Sequence, residues 1–187
     1  VLFNPVSVGP LRFAAQYERT IGGAESNVAI GLARLGHQVS WASRLGDDEF
    51  GLYIRNFIRG EGVDTSYVVF DREHPTAVFF KERQYSQEPK VYYYRKGSAA
   101  SHLQPEDVSE ELIAKAKFLH VTGITPALSS SCREALYQAI GKARKHRVTI
   151  VFDPNIRLKL WSQKEAAEVL MDIAGRCDIV LPGWEEG

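Results

Sequence analysis

Strand-like and helix-like segments alternate along the second half of this chain, and this alternation constrains its fold more than any other feature. Short apolar runs that are typical of buried strands alternate with longer segments that have an apolar face at helical spacing. Strands joined through helices in this way are typical of a parallel sheet with helices packed against it. The sequence therefore predicts an α/β fold, with strands at 117–121, 148–152 and 178–181 and helices at 130–146 and 164–174.

The first half begins with the same alternation and then departs from it. A helix from Ala24, a strand at 38–45 and a helix capped by Asp47-Asp48-Glu49 come first. Short strand-like runs follow that are separated only by turn-forming residues, which is typical of hairpins. We therefore expect an inserted antiparallel sheet, with strands at 67–70, 76–83 and 90–96, turns at 71–75 and 85–89, and a further strand from 11–21.

Composition excludes several classes of function. Of 187 residues, 44% are hydrophobic and 25% are charged, which is typical of a folded globular chain. Lys plus Arg equals Asp plus Glu at 23 each, so no net charge attracts nucleic acid or an anionic membrane. No window approaches the ~18 apolar residues of a membrane span, and the start lacks a signal-peptide pattern. We expect a cytoplasmic protein with no nucleic-acid or membrane partner.

The cysteines and the two ends of the chain bear on its context. Cys132 and Cys177 lie far apart with no histidine at metal-ligand spacing, which favours two reduced, small apolar side chains over a disulfide. The chain starts at Val1 rather than Met and stops at Gly187 directly after a predicted strand. We therefore expect both ends to lie inside a longer protein.

Gly22 and Gly23 stand directly before the first helix. Adjacent glycines permit backbone angles closed to other residues and let a ligand approach the main chain. The free amides and the positive dipole end of a helix point the same way, so this position suits a polar or anionic small molecule. A purely structural loop is the alternative. Val28, Leu32 and Leu35, at i, i+4 and i+7, predict the buried face of the helix.

Two more segments carry polar side chains suited to a small-molecule site. In the strand at 90–96, Tyr93 and Arg95 share one face, and a phenol with a guanidinium suits hydroxyls and a carboxylate or phosphate. Asp153, Asn155 and Arg157 follow the strand at 148–152, and ligands of open α/β sheets bind at such strand ends. The alternatives are tyrosines that only build a strand, and an ordinary strand-to-helix turn. A Walker A phosphate loop is absent from the sequence.

These segments resemble the ribokinase-like (PfkB) carbohydrate kinases, and within them the 2-keto-3-deoxygluconate kinases. The blocks at 22–29 and 44–51 are typical of the superfamily, and those at 93–99 and 123–128 of the subgroup. The matching blocks span nearly the whole chain: Gly-Gly-Ala-Glu-Ser-Asn-Val-Ala at 22–29 with Gly36 and Gly46, Arg-Leu-Gly-Asp-Asp-Glu-Phe-Gly at 44–51, Glu-Gly-Val-Asp at 61–64, Tyr-Tyr-Arg-Lys-Gly-Ser-Ala at 93–99, Gly-Ile-Thr-Pro-Ala-Leu at 123–128, and Asp-Pro-Asn-Ile-Arg at 153–157 with Leu160-Trp161.

The resemblance implies a Rossmann-like three-layer core of mostly parallel strands with a small antiparallel β lid. It implies phosphorylation of a sugar acid with ATP and Mg²⁺, and a homo-oligomer that pairs through the lid. The lid would comprise 1–20 and 67–98, and the substrate-binding core 21–66 and 99–187.

The resemblance also implies roles for individual residues. Arg157 would lie beside the substrate and stabilise the transferring phosphate. Asp153 and Asn155 would contact the nucleotide, and Glu186 would organise Mg²⁺ through water. Phe79 stands where relatives often have Tyr, which leaves packing against the sugar. The substrate-binding residues would be Gly22, Gly23, Asn27, Phe79, Tyr93, Arg95, Ile124 and Arg157.

Three features depart from the family pattern. The Gly-Ala-Gly-Asp motif that carries the catalytic base does not occur in this sequence, and neither does most of the nucleotide site. The first core strand would precede Val1, and Gly183 replaces the Asn of the Asn-x-x-Glu motif. We therefore expect the substrate-binding and lid portion of a kinase, inactive by itself. Another PfkB kinase, such as a fructokinase, and a non-catalytic sugar-acid-binding or dimerisation module are the alternatives.

Overall fold

A computed structural model describes residues 1–84 and 89–186, which divide into two compact units at residues 100 and 101. The turn predicted at 85–89 falls largely on residues 85–88, and these, like Gly187, lie outside the described residues. Within the described residues, no helix is long and apolar enough to cross a membrane.

The first unit combines a four-stranded sheet with a parallel strand pair and two helices. Its elements are β1 (Leu2–Pro5), β2 (Tyr17–Thr20), α1 (Ala24–Arg34), β3 (Ser43–Gly46), α2 (Glu49–Gly60), β4 (Val68–Asp71), β5 (Val78–Lys81) and β6 (Val91–Tyr94). The four-stranded sheet has the order β2-β1-β5-β6, in which β1 and β5 run parallel and the outer pairs run antiparallel. The hairpin predicted from 76–83 and 90–96 is therefore confirmed as β5 and β6.

One strand predicted for the antiparallel sheet lies elsewhere. β4, predicted at 67–70, pairs in parallel with β3, from Ser43 opposite Val68 to Gly46 opposite Asp71. The connection explains the difference, because α2 joins β3 to β4 and a strand-helix-strand unit produces parallel neighbours. The strand predicted at 11–21 is also shorter than expected, since its first residues form a 3₁₀ turn at Leu11–Phe13.

The buried face of α1 differs from the prediction. Leu32 and Leu35 are 38% and 76% exposed, whereas Ser26, Ala29 and Ile30 are buried. The buried residues also follow helical spacing, but they form a different stripe, which includes the polar residue Ser26. Burial of Ser26 is tolerated because its hydroxyl donates to the carbonyl of Gly23 at 3.1 Å.

The start of α2 follows the sequence prediction. Asp48 caps the helix by accepting the N–H of Gly51 at 2.8 Å, as the Asp47-Asp48-Glu49 segment predicts. The helix packs closely on the end of β3, because a Cβ at Gly51 would lie 2.0 Å from the carbonyl oxygen of Gly46. Packing therefore requires glycine at both Gly46 and Gly51, in the segment 44–51.

The second unit is a three-stranded parallel sheet with helices. Its longer elements are α3 (Glu110–Lys115), β7 (Phe118–Thr122), α4 (Ser130–Lys145), β8 (Thr149–Asp153), α5 (Gln163–Ala174) and β9 (Ile179–Val180). The strand order β7-β8-β9 is wholly parallel, which confirms the predicted alternation. Ile150 and Phe152 of β8 are fully buried in its core. Cys132 is buried and Cys177 half-buried, and neither is part of a disulfide. With parallel pairs in both units and one small sheet with antiparallel edges, the predicted α/β class is confirmed.

Candidate functional site

A stack of three side chains lies on one face of the four-stranded sheet. Phe79 of β5 and Tyr93 of β6 are opposite each other in the register, and their rings stack with centroids 5.4 Å apart. The guanidinium of Arg95 lies 4.3 Å from the centroid of the Tyr93 ring. The predicted common face of Tyr93 and Arg95 is therefore confirmed. Tyr93 remains 43% exposed and Arg95 is partly exposed, so the stack lies at the surface of the unit.

Gly22 extends this stack toward the start of α1. A Cβ at Gly22 would lie 2.9 Å from Cζ of Phe79, so the ring is packed directly against the glycine backbone. The predicted use of special backbone angles is wrong, because neither Gly22 nor Gly23 lies in the left-handed region, and Gly23 is extended at φ 175°. Glycine is needed here for close approach. Asn27, on the first turn of α1, is exposed to solvent.

A cluster of hydrogen-bonded polar side chains, Asp71 with its partners and Asp48, holds the segment that leads into β5. Asp71 accepts from Nε of Arg44 at 2.8 Å and lies 3.0 Å from Nδ1 of His74. Thr76 N–H donates to Oδ2 of Asp48 at 2.8 Å. Burial alone would raise the pKa of Asp71, but the hydrogen bonds from Arg44, from the N–H of Glu73 and from His74 hold it well below its usual range. These hydrogen bonds fix the position of the segment that leads into β5, the strand that carries Phe79.

The second cluster lies in the second unit, where β7 and β8 end side by side. The N–H of Gly123 donates to the carbonyl of Asp153 at 2.8 Å, and a Cβ at Gly123 would lie 2.0 Å from the carbonyl oxygen of Pro154. The Asp153 loop is therefore packed against the end of β7. Ile124 follows directly, and its N–H donates to the hydroxyl of Thr122 at 3.4 Å.

The polar side chains predicted after β8 contact their own loop. Asn155 lies in the left-handed region at φ 40°, and its Nδ2 donates to Oδ2 of Asp153 at 3.1 Å. Its Oδ1 is buried and accepts no hydrogen bond from any described residue, so this loop holds an acceptor for a water or a ligand donor. Arg157 is exposed, and its Nη1 donates to the carbonyl of Ile156 at 3.0 Å.

The carboxylate of Glu186 accepts hydrogen bonds from two backbone N–H groups. Oε1 accepts the N–H of Ile156 at 2.6 Å, and Oε2 accepts the N–H of Gly183 at 3.0 Å. Among residues 1–84 and 89–186, no three His, Cys, Asp or Glu side chains are grouped so that they could hold a metal ion. Glu186 therefore belongs to no such group among these residues, and its carboxylate holds two backbone N–H groups.

The structure brings Gly22, Phe79, Tyr93 and Arg95 into one cluster and places Asp153, Asn155 and Arg157 on one loop. The hydrogen bond between Glu186 and Ile156 was not predicted, since no spacing rule joins residues 30 positions apart. Ile124 of the turn after β7 was predicted to bind substrate, but the close approach of Gly123 to Pro154 was not predicted. A glycine directly after a predicted strand was the pattern that could have revealed it.

Comparison with known proteins shows the family to which the chain belongs. The model of the pfkB family of carbohydrate kinases matches residues 7–187, and the chain belongs to this family. A 2-dehydro-3-deoxygluconokinase of Bacillus subtilis is 39% identical over 100% of this chain and 58% of its own length. A 5-dehydro-2-deoxygluconokinase of Geobacillus kaustophilus is 33% identical over 95% of this chain and 53% of its own length. The chain therefore spans somewhat more than half the length of these curated relatives.

Solved structures are similar over the same extent. A PfkB protein from Polaromonas is 42% identical with a TM-score of 0.95, covering 99% of this chain and 63% of that one. An uncharacterized sugar kinase from Pyrococcus horikoshii, solved in complex with ATP, is 31% identical with a TM-score of 0.86, covering 96% of this chain and 59% of that one. These likenesses support the fold predicted from the sequence.

Proposed function

We propose that the protein containing this chain transfers phosphate from ATP to 2-keto-3-deoxygluconate, and that this chain supplies its sugar-acid-binding part and lid. The packing of Gly22, Phe79, Tyr93 and Arg95 into one partly exposed cluster carries the proposal. An aromatic ring, a phenol and a guanidinium together suit the carbon chain, the hydroxyls and the carboxylate of a sugar acid. Relatives named for such kinases support the same substrate class.

In this proposal the two units supply different parts of the chemistry. Arg95 binds the carboxylate, and Arg157 stabilises negative charge on the transferring phosphate, because phosphoryl transfer depends on positioning and on positive charge around the migrating group. The family resemblance supports Asp153 and Asn155 as nucleotide-binding residues, and Gly23, Asn27 and Ile124 as sugar-binding residues. Mg²⁺ would accompany ATP, and we assign no residue of this chain to it.

The catalytic base and the cellular context complete the proposal. A Gly-Ala-Gly-Asp motif, where the family resemblance locates the base, does not occur in this sequence, so the 187 residues by themselves are expected to be inactive. Pairing of the lid sheet between subunits is proposed from its exposed Tyr92 and Tyr94. A cytoplasmic location fits the two free thiols.

A coupled assay for ADP release tests the proposed function. The protein is expressed from the complete reading frame that contains this sequence and is supplied with ATP, Mg²⁺ and each candidate acceptor. We expect the highest kcat/KM with 2-keto-3-deoxygluconate. The second candidate is 5-dehydro-2-deoxygluconate, because relatives at 33% identity carry that name. Phosphorylation of fructose or ribose alone would contradict the sugar-acid assignment, and a reading frame that ends at Gly187 with no turnover would favour a binding module.

A further inference from the structure

The carboxylate of Glu186 joins its own turn after β9 to a backbone segment 30 positions earlier in the sequence. One oxygen accepts the N–H of Ile156, in the loop after β8, and the other accepts the N–H of Gly183, after β9. The N–H of Glu186 itself donates to the carbonyl of Gly183 at 2.9 Å, which closes the turn. Because hydrogen bonds to an ionised acceptor are short and strong, this carboxylate fastens one segment to the other.

The peptide units of Ile156 connect this contact to Arg157. The N–H of Ile156 is held by Glu186 at 2.6 Å, and its carbonyl accepts Nη1 of Arg157 at 3.0 Å. Asn155, the preceding residue, has φ 40°, a conformation that persists when the surroundings hold it. Glu186 therefore fixes the backbone between a strained asparagine and the exposed guanidinium.

We propose that Glu186 is a positioning residue: it holds the Ile156 N–H and thereby places Arg157. The kinetic consequence of this role rests on the proposed kinase function, whereas the contact itself does not. Gly183 belongs to the same arrangement, because a Cβ there would lie 3.3 Å from Oε2 of Glu186, so any larger residue would press on the carboxylate.

Amide hydrogen exchange in the metal-free protein with EDTA tests the contact directly. In Glu186→Ala we expect the Ile156 amide to exchange about ten- to a hundredfold faster, as for the loss of a hydrogen bond to a charged group. The amides of Ile150 and Phe152, in the buried part of β8, report global stability and are expected to be unchanged. Glu168→Ala removes an exposed carboxylate from the same unit and should leave all these rates unchanged.

A second variant keeps the test decisive if Glu186→Ala loosens the whole unit. Glu186→Gln preserves side-chain length and one carbonyl acceptor but places an NH₂ group toward the other amide. We expect faster exchange of Ile156 or Gly183 relative to Ile150 in this variant. The assignment is overturned if, in both variants, the amide exchange rates of Ile156 and Gly183 keep the same ratio to the rate of Ile150 as in the wild type.

Kinetics then separate positioning from metal binding. In the complete protein with 2-keto-3-deoxygluconate, Glu186→Ala should lower kcat about ten- to a hundredfold, as for a misplaced catalytic group. The Mg²⁺ concentration that gives half-maximal activity should not change. Recovery of kcat at excess Mg²⁺ would indicate a metal role and overturn the assignment. If the wild type phosphorylates no sugar acid, the proposed function fails, and the exchange rates still decide the role of Glu186.

Discussion

The ring of Phe79 packs against Gly22 so closely that a Cβ on this glycine would lie 2.9 Å from Cζ of the ring. The same ring stacks on Tyr93, which in turn lies under the guanidinium of Arg95. Any displacement of Phe79 is therefore transmitted to two side chains proposed to bind the sugar acid. The small size of residue 22 sets the position of the whole stack.

Gly22→Ala should therefore impair substrate binding more than folding. The added methyl group meets the tip of an aromatic ring, which can shift, so we expect a rise in KM of about tenfold with a small loss of stability, on the scale of moderate overpacking. Steady-state kinetics and thermal unfolding measure the two effects. Gly31→Ala is the matched control, since a Cβ there meets nothing within 4 Å in the exposed part of α1. An unchanged KM in Gly22→Ala would contradict the role of the stack.

Tyr93→Phe isolates the contribution of the hydroxyl. The ring and its stacking with Phe79 and Arg95 are retained, so the fold and kcat should change little. We expect KM for the sugar acid to rise about five- to tenfold, as for one lost hydrogen bond in a ligand site. Tyr94→Phe is the control, because Tyr94 points to the opposite face of β6 and is 66% exposed. Equal KM values in the two variants would argue against a sugar contact at Tyr93.

The sequence predicts which segments form elements better than it predicts what those elements contact. Alternation of strands and helices identifies β7 through β9, because parallel strands buried on both faces are apolar and bounded by turns. The face of α1 was mispredicted, since two stripes satisfy helical spacing and the one with Ser26 is buried through a local hydrogen bond. The partner of β4 and the contact from Glu186 to Ile156 depend on tertiary packing, which local patterns do not encode.

Arg157→Ala should reduce catalysis while leaving the fold intact. Arg157 is exposed and contacts the carbonyl of Ile156 in its own loop, so its removal opens no cavity in the core. We expect kcat to fall about a hundredfold, the usual effect of removing one group that stabilises transition-state charge. Lys159→Ala, which removes an exposed cation two positions away, should retain activity. Unchanged turnover in Arg157→Ala with a native melting curve would exclude the proposed role.

Because of Asp71, the stability of the first unit is expected to depend on pH in the acid range. Hydrogen bonds hold its pKa in the folded state below the unfolded value of ~3.9. Its stabilising contribution is therefore complete above that unfolded value and declines as the pH falls toward the lower folded pKa. Asp71→Asn should cost about 3 kcal/mol near pH 7, as for a broken buried ion pair. That difference from wild type should shrink below about pH 4.

Urea unfolding of wild type and Asp71→Asn across this pH range measures the effect. Asp47→Asn is the control, because Asp47 is half exposed and pairs with Arg72 at 3.5 Å on the surface, where ion pairs contribute little. A difference between wild type and Asp71→Asn that is independent of pH would show that the carboxylate charge is not the source of the stability.

Gly123→Ala and Gly141→Ala should change the stability of the second unit in opposite directions. A Cβ at Gly123 would lie 2.0 Å from the carbonyl oxygen of Pro154 and 2.6 Å from Cδ2 of Leu170, and the first of these is backbone that cannot rotate away. We expect a loss of about 3 kcal/mol. A Cβ at Gly141, in the exposed part of α4, meets nothing within 4 Å, so alanine should add about 0.5–1 kcal/mol through its helix propensity. Urea unfolding measures both values, and a stable Gly123→Ala variant would show that the loop after β8 is free to move away from the end of β7.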